Sequence, residues 1–249
     1  MKQAKYIIFF FLLSGVINSF GQGKTNLTRI PKNYKTFQIG GIGSLDMCYR
    51  TYENKQREAS IDNLIATRNQ GEMMKFGYHA GIGFCMNASE NFGMEIGVVY
   101  SNRGYETKLV NYIYPVTPEP GYPIQGRSIY NYNFIDIPIK GNFFAGKGKV
   151  RFYGSIGVTT NILVSQNETF VKKYQDGRTE REVFQTNHNF EKVIFSGNIE
   201  AGVDIKFNKY LNLRLAPNFS HSIGRFVEGP LSMYLWTAGF GASFYYGWF

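Results

Sequence analysis

The chain has 249 residues, 43% of them hydrophobic, with 22 Phe, 18 Tyr, 28 Gly and a formal net charge of +9. Two cysteines, Cys48 and Cys85, are too few for a disulfide scaffold and lack zinc-ligand spacing; no Pro- or Ser-rich linker divides the chain, so one domain is expected. Abundant aromatics and glycines suit strands and tight turns better than helices.

Residues 1–21 read as a signal peptide: Lys2 and Lys5 give a basic start, "YIIFFFLLSGVI" is a short apolar run, and Ser19 and Gly21 precede Gln22 as small residues at a cleavage site. The run is shorter than the roughly 20 apolar residues of a spanning helix. Loss of Lys2 and Lys5 takes the formal charge from +9 to +7. For an exported protein this basic balance favours an anionic membrane surface or glycolipid over nucleic acid. A short segment, 22–35, is expected before a domain at 36–249.

That domain shows strict apolar/polar alternation, the period of strands with two unlike faces. Strands are expected at about Phe37–Arg50, Met73–Asn87, Phe92–Tyr105, Tyr130–Phe144, Val150–Ser165, Val193–Phe207, Leu211–Ser220 and Tyr234–Phe249. In Val193–Phe207, for example, Val193, Phe195, Ile199, Val203 and Ile205 share one parity while Ser196, Asn198, Glu200, Asp204 and Lys206 hold the other. Connections at 89–91, 145–149 and 208–210 are tight. Those at Thr51–Glu72, Thr107–Ser128, Gln166–Lys192 and Gly224–Met233 are longer, and no sustained helical period interrupts the pattern.

Eight such strands predict an all-β, antiparallel, up-and-down transmembrane barrel with short periplasmic turns and longer external loops, both chain ends lying on the periplasmic side. The apolar parity then faces lipid and the polar parity the lumen. A soluble lipocalin-like barrel binding a small apolar ligand is the inverse arrangement. Tyr49, Tyr78, Tyr100, Tyr130, Tyr132, Tyr234, Trp236, Tyr246 and Trp248 near strand ends read as interfacial girdles and favour the membrane. The repeated Gly-x-Gly of "IGGIGS", "HAGIGF" and "AGFGAS" is followed by no helical pattern, so it is not a phosphate cradle. In "HAGIGF" both glycines share the parity of His79, where they make room inside a narrow barrel.

"MEIGVVYSNRG" (Met94–Gly104) and "YNFIDIPIKGNFF" (Tyr132–Phe144) resemble two recurrent segments of the PorT-like outer-membrane β-barrel family of Bacteroidota, as do the "FGQ" that ends the signal and the terminal Phe249. The resemblance spans the mature chain. It implies a fold, an outer-membrane location and an accessory role in envelope or secretion processes, but no chemistry.

The inward parity collects Asp46, Glu95, Asp136, Glu200 and Asp204 with Arg50, Lys75, Arg103, Lys140, Arg151, Lys206 and Arg214. In an eight-stranded barrel these are expected to form a paired ionic plug, with Asp204 and Arg214 neighbours across the last short hairpin. His79, His188 and His221 lack metal-ligand spacing. "SHS" (Ser220–Ser222) raises an outer-membrane lipid deacylase, but neighbouring side chains on a strand point to opposite faces. Cys48 and Cys85 lie too far apart to bridge. No catalytic, cofactor or metal residue is therefore assigned. The expected function is structural or interactive, with no enzyme activity. Outer-membrane lipid, lipopolysaccharide and an envelope protein held by the external loops are the candidate partners.

Overall fold

The computed structural model describes residues 36–115, 121–185 and 190–248. The signal peptide expected at 1–21, the segment 22–35, His188 and Phe249 lie outside the described residues.

The elements in chain order are β1 (Phe37–Asn54), α1 (Ala59–Gly71), β2 (Glu72–Met73), β3 (Lys75–Asn87), β4 (Phe92–Thr107), β5 (Val110–Asn111), β6 (Pro123–Ala145), β7 (Val150–Tyr174), β8 (Thr179–Gln185), β9 (Val193–Lys206), β10 (Leu211–Ser222) and β11 (Leu231–Trp248). Eight of them form a closed antiparallel ring in the order β1-β3-β4-β6-β7-β9-β10-β11, and β11 pairs back onto β1 from Phe37↔Trp248 to Asn54↔Leu231. Closure leaves the ring no free edge.

Alternation decides the faces. Leu45, Phe76, Ile82, Ile156 and Phe240 stand on the outside, Phe76 81% exposed, whereas Asp46, Glu95, Asp136, Lys140, Asp204 and Arg214 are buried within. An exterior of exposed apolar side chains around a charged interior is the lipid-facing arrangement and excludes the lipocalin-like inversion. Tight turns at one end mark the periplasmic side under the same rule, which puts the chain ends of the barrel there too.

Two prolines sit inside the wall. Lacking an N–H, each can be paired normally on one side only. Pro138 pairs with Thr159 of β7, but the β4–β6 ladder stops at Ile96↔Ile139 and resumes at Val99↔Asp136. Pro217 pairs with Phe240, while the β9–β10 ladder skips from Leu215↔Val203 to Asn218↔Glu200.

The outer end departs from the sequence reading in three ways. First, the connection expected at Thr51–Glu72 contains α1. None of its residues is buried, so it had no apolar stripe to betray it. Polar bonds anchor it instead: Asn54 donates to the Glu58 carbonyl and to Asp62, Arg50 donates to Asn69, and Arg68 to the Tyr52 hydroxyl. Second, much of Gln166–Lys192 is strand. The 25 residues of β7 reach about 80 Å at ~3.3 Å each; a crossing needs only about 10. The upper parts of β6 and β7 thus rise from the membrane, with β8 added along Asn167–Lys173 and β5 along Gln125–Gly126. Third, Tyr130 and Tyr132 are no girdle residues. Tyr130 stacks on the buried Tyr105 with ring centroids 4.7 Å apart, and Tyr132 is 4% exposed and packs inside against Phe226, also at 4.7 Å.

Candidate functional site: the lumen and its outer mouth

The inward side chains divide into three levels. Nearest the periplasm, Glu95 bonds Lys140 Nζ at 2.7 Å through one carboxylate oxygen and Arg214 Nη1 at 2.9 Å through the other, which also accepts from Asn142. Lys140 reaches Glu200 at 3.0 Å, and Glu200 accepts from the Tyr153 hydroxyl. Asp204 takes Arg151 at 2.6 Å and Asn212 at 2.7 Å, with Arg214 Nε 3.5 Å away. The cross-strand neighbours Arg214 and Asp204 thus belong to one plug, as expected.

Aromatic rings complete this level. Arg214 lies 4.2 Å from the centroid of Tyr245, a cation–π arrangement. Tyr245 fits because Gly40 and Gly83 have no side chain: a Cβ at Gly40 would come 2.8 Å from its ring, and one at Gly83 3.0 Å from its hydroxyl. The inward glycines therefore make room, the purpose read from their parity.

Above the plug, His79 Nδ1 lies 2.9 Å from Asp46 Oδ2, Ser44 donates to the other oxygen of Asp46 at 2.6 Å, and Asn218 donates to Ser44. Arg103 pairs with Asp136, whose second oxygen accepts from Asn161. Between these groups and Lys140 and Glu200 lies a cavity of about 60 Å³, with a smaller one of about 20 Å³ beside it. That volume admits a few waters and falls short of the roughly 300 Å³ at which small-molecule pockets begin.

The third level is an aromatic closure at the outer mouth. Tyr105, Tyr132, Phe134, Ile194, Phe226, Met233 and Leu235 form a buried cluster, and Phe190 stacks on Phe226 at 4.5 Å. Arg50 flanks it, bonded to Glu72 at 2.6 Å with its guanidinium 4.0 Å from the Tyr52 ring. Sequence reasoning missed this closure because its members come from several elements; Tyr105, Tyr132, Phe134 and Ile194 share the parity of the inward acids on their strands, but Tyr132 reads as a girdle residue and Phe226 lies in a connection.

Among the described residues, two of the expected plug cations make no ion pair. Lys75 donates to Asn102 and Asn131, and Lys206 stands half-buried at the periplasmic rim without an ion pair among the described residues. Ser44, Asp46 and His79 do not form a nucleophilic relay, since the serine bonds the carboxylate and not the imidazole. At "SHS", His221 Nδ1 lies 2.8 Å from the carbonyl of Ser222 and its ring stacks on Tyr234, while the Ser222 hydroxyl accepts from the Leu235 N–H. Cys48 and Cys85 are buried and unbridged. Among the described residues no three His, Cys, Asp or Glu side chains gather as metal ligands.

A protein-family model described as "Outer membrane protein beta-barrel domain" matches residues 20–225, most of the chain. The chain belongs to this family. As a member of the outer-membrane protein β-barrel domain family it is an outer-membrane protein, in accord with the apolar exterior. No curated protein matches it. Among solved structures, Neisserial surface protein A is similar at 8% identity, covering 84% of this chain and 96% of its own, with a TM-score of 0.40. OprG from Pseudomonas aeruginosa is 12% identical, covering 86% and 98%, at 0.38. The N-terminal β-barrel domain of Pseudomonas aeruginosa OprF is 14% identical, covering 85% and 98%, at 0.33.

Proposed function

We propose that this chain is a non-conducting, non-enzymatic barrel that presents its outer sheet to a partner in the cell envelope. The observation that carries the reading is the double closure of the lumen, ionic below and aromatic above, which leaves the outer extension as the surface free to act. Loops and extensions on a rigid scaffold commonly carry binding. Ile113, Val183 and Phe184 are exposed there, at 95%, 63% and 52%.

The resemblance to the PorT-like barrels of Bacteroidota supports an accessory role in envelope or secretion processes. The two segments that carry it lie on neighbouring strands and pair with each other: Glu95 faces Lys140, and Val99 faces Asp136. They supply both partners of the Glu95–Lys140 and Arg103–Asp136 ion pairs. The motif residues therefore build the closed lumen, which favours a structural device over a catalytic one. Lipopolysaccharide and outer-membrane phospholipid are the surrounding partners in this proposal, and no nucleic acid takes part.

Photo-cross-linkers placed at Val183 and Ile113 in living cells are expected to capture one envelope protein that is not captured from Leu45 or Ile156 in the lipid belt. Equal capture from both sets sinks the proposal. Steady conductance of the purified protein in planar bilayers, or deacylation of lipid A or phospholipid by it, would replace this reading with a pore or an enzyme.

A further inference from the structure

The three tight turns are unlike in charge to the outer connections. The outer side mixes both signs, with ion pairs such as Arg127–Glu106, Lys172–Glu182 and Arg178–Glu180. The periplasmic turns carry Lys147, Lys149 and Lys209, and Glu90 is their one acid. Local geometry holds these lysines outward. Gly146 and Gly148 take positive φ of 109° and 127°, which sets the "GKGK" turn. Asn208 accepts from the Tyr210 and Leu211 N–H groups, which makes Lys209 the tip of its turn.

The two basic turns are neighbours. The Lys206 N–H donates to the Lys149 carbonyl at 2.7 Å, so Lys147, Lys149, Lys206 and Lys209 occupy one sector of the rim. None of the four makes an ion pair among the described residues; Lys209 sits 5.1 Å from the Tyr210 ring. Directly above stands an aromatic band that includes Phe152, Phe207 and the stacked pair Tyr210–Tyr246. Aromatic side chains at that level lie among headgroups, which sets the lysines at the headgroup plane or just beyond it.

We infer that this sector is a binding surface for anionic phospholipid headgroups of the periplasmic leaflet. The sector is predominantly basic, with Glu90 its one exposed acid; its lysines make no ion pair among the described residues and stand at headgroup depth beside interfacial aromatics. Each lysine near an anionic surface contributes a factor of roughly five in affinity at moderate salt, falling as salt screens it.

The test uses the full chain purified in a neutral detergent and offered equal amounts of phosphatidylglycerol and phosphatidylethanolamine, with bound lipid read by native mass spectrometry. The wild type is expected to retain phosphatidylglycerol preferentially. The preference should fall about a hundredfold in Lys147→Gln/Lys149→Gln/Lys209→Gln, persist in the corresponding triple arginine variant, and persist in the outer control Arg178→Gln/Arg225→Gln. Heat-dependent gel mobility verifies that each variant is a closed barrel. No preference in the wild type, or one kept in the triple glutamine variant, overturns the inference.

Discussion

Arg214 on β10 and Glu95 on β4 meet across the lumen at 2.9 Å, though 119 residues separate them in sequence. They do not pair along any ladder, so their contact spans the interior and braces walls that share no hydrogen bond. Lys140 bonds the other oxygen of the same carboxylate.

Removing that carboxylate takes the shorter ion pair from each of two buried cations, leaving Lys140 to Glu200 and Arg214 to Asp204, 3.5 Å from its Nε. Glu95→Ala is expected to cost about 3–5 kcal/mol, the range for breaking a buried pair. Replacing Glu95, Lys140, Arg214 and Glu200 together with apolar residues of similar size, which leaves Asp204 its pair with Arg151, should recover most of it. Urea unfolding of the detergent-solubilised protein, followed by gel mobility, measures both; a single-variant cost under about 1 kcal/mol would show that the network is not braced as described.

Gly83 leaves the space that Tyr245 and Ile42 fill. Gly83→Val would drive a side chain into the Ile42 methyl at 2.6 Å and towards the Tyr245 hydroxyl at 3.0 Å. A loss of about 1–3 kcal/mol is expected from overpacking. Pairing it with Tyr245→Phe relieves only part, since Ile42 remains; adding Ile42→Ala should restore folding, and failure to do so would place the strain in the backbone.

Both thiols are buried and free. A maleimide is therefore expected to label neither Cys48 nor Cys85 in the folded barrel and both after unfolding without reductant. Mass spectrometry that finds fewer than two labels on the unfolded chain contradicts the register of β1 on β3, in which Cys48 faces Lys75 and Cys85 faces Gln38.

At the outer end Glu53 accepts from Tyr234 at 2.8 Å and pairs with Lys55. The Lys55 bond, then the Tyr234 bond, hold its carboxyl below the ordinary value of 4.5. A depressed carboxyl stabilises above its unfolded pKa and loses that contribution as pH falls through the folded one. Amide exchange at the upper β1–β11 pairs should therefore quicken under acid more in the wild type than in Glu53→Gln. Lys172 is the opposite case, raised by its bond to Glu182; its contribution to the β7–β8 hairpin should fade only as pH climbs past about 10.5. Exchange that is flat across both ranges would show these contacts to be inert.

The ring was legible because each wall strand must satisfy lipid on one face and charge on the other, and residues such as Phe76, Lys75, Ile82 and Gly83 record that demand two by two. Outside the membrane the demand lapses. Helix α1 buries nothing, so its residues obey no period, and the strand continuing through Phe170 and Lys172 loses the clean alternation that identified it lower down. The aromatic closure was invisible for another reason: Phe190 and Phe226 enter from connections, and no spacing along the chain relates them to Tyr132. Plug pairs fared better where neighbouring strands fixed them, as with Asp204 and Arg214, and worse where the cation stood at an end, as with Lys206.

Because Phe37 lies opposite Trp248 in the closing ladder, the wall has no structurally privileged first strand. A short linker between those two positions would let the chain open anew at any outer connection without severing a single barrel pairing, as circular permutation generally requires of adjacent, exposed ends. The order in which the strands are made is thus separable from the object they make, and the chain's linear sequence is one of several that encode the same ring.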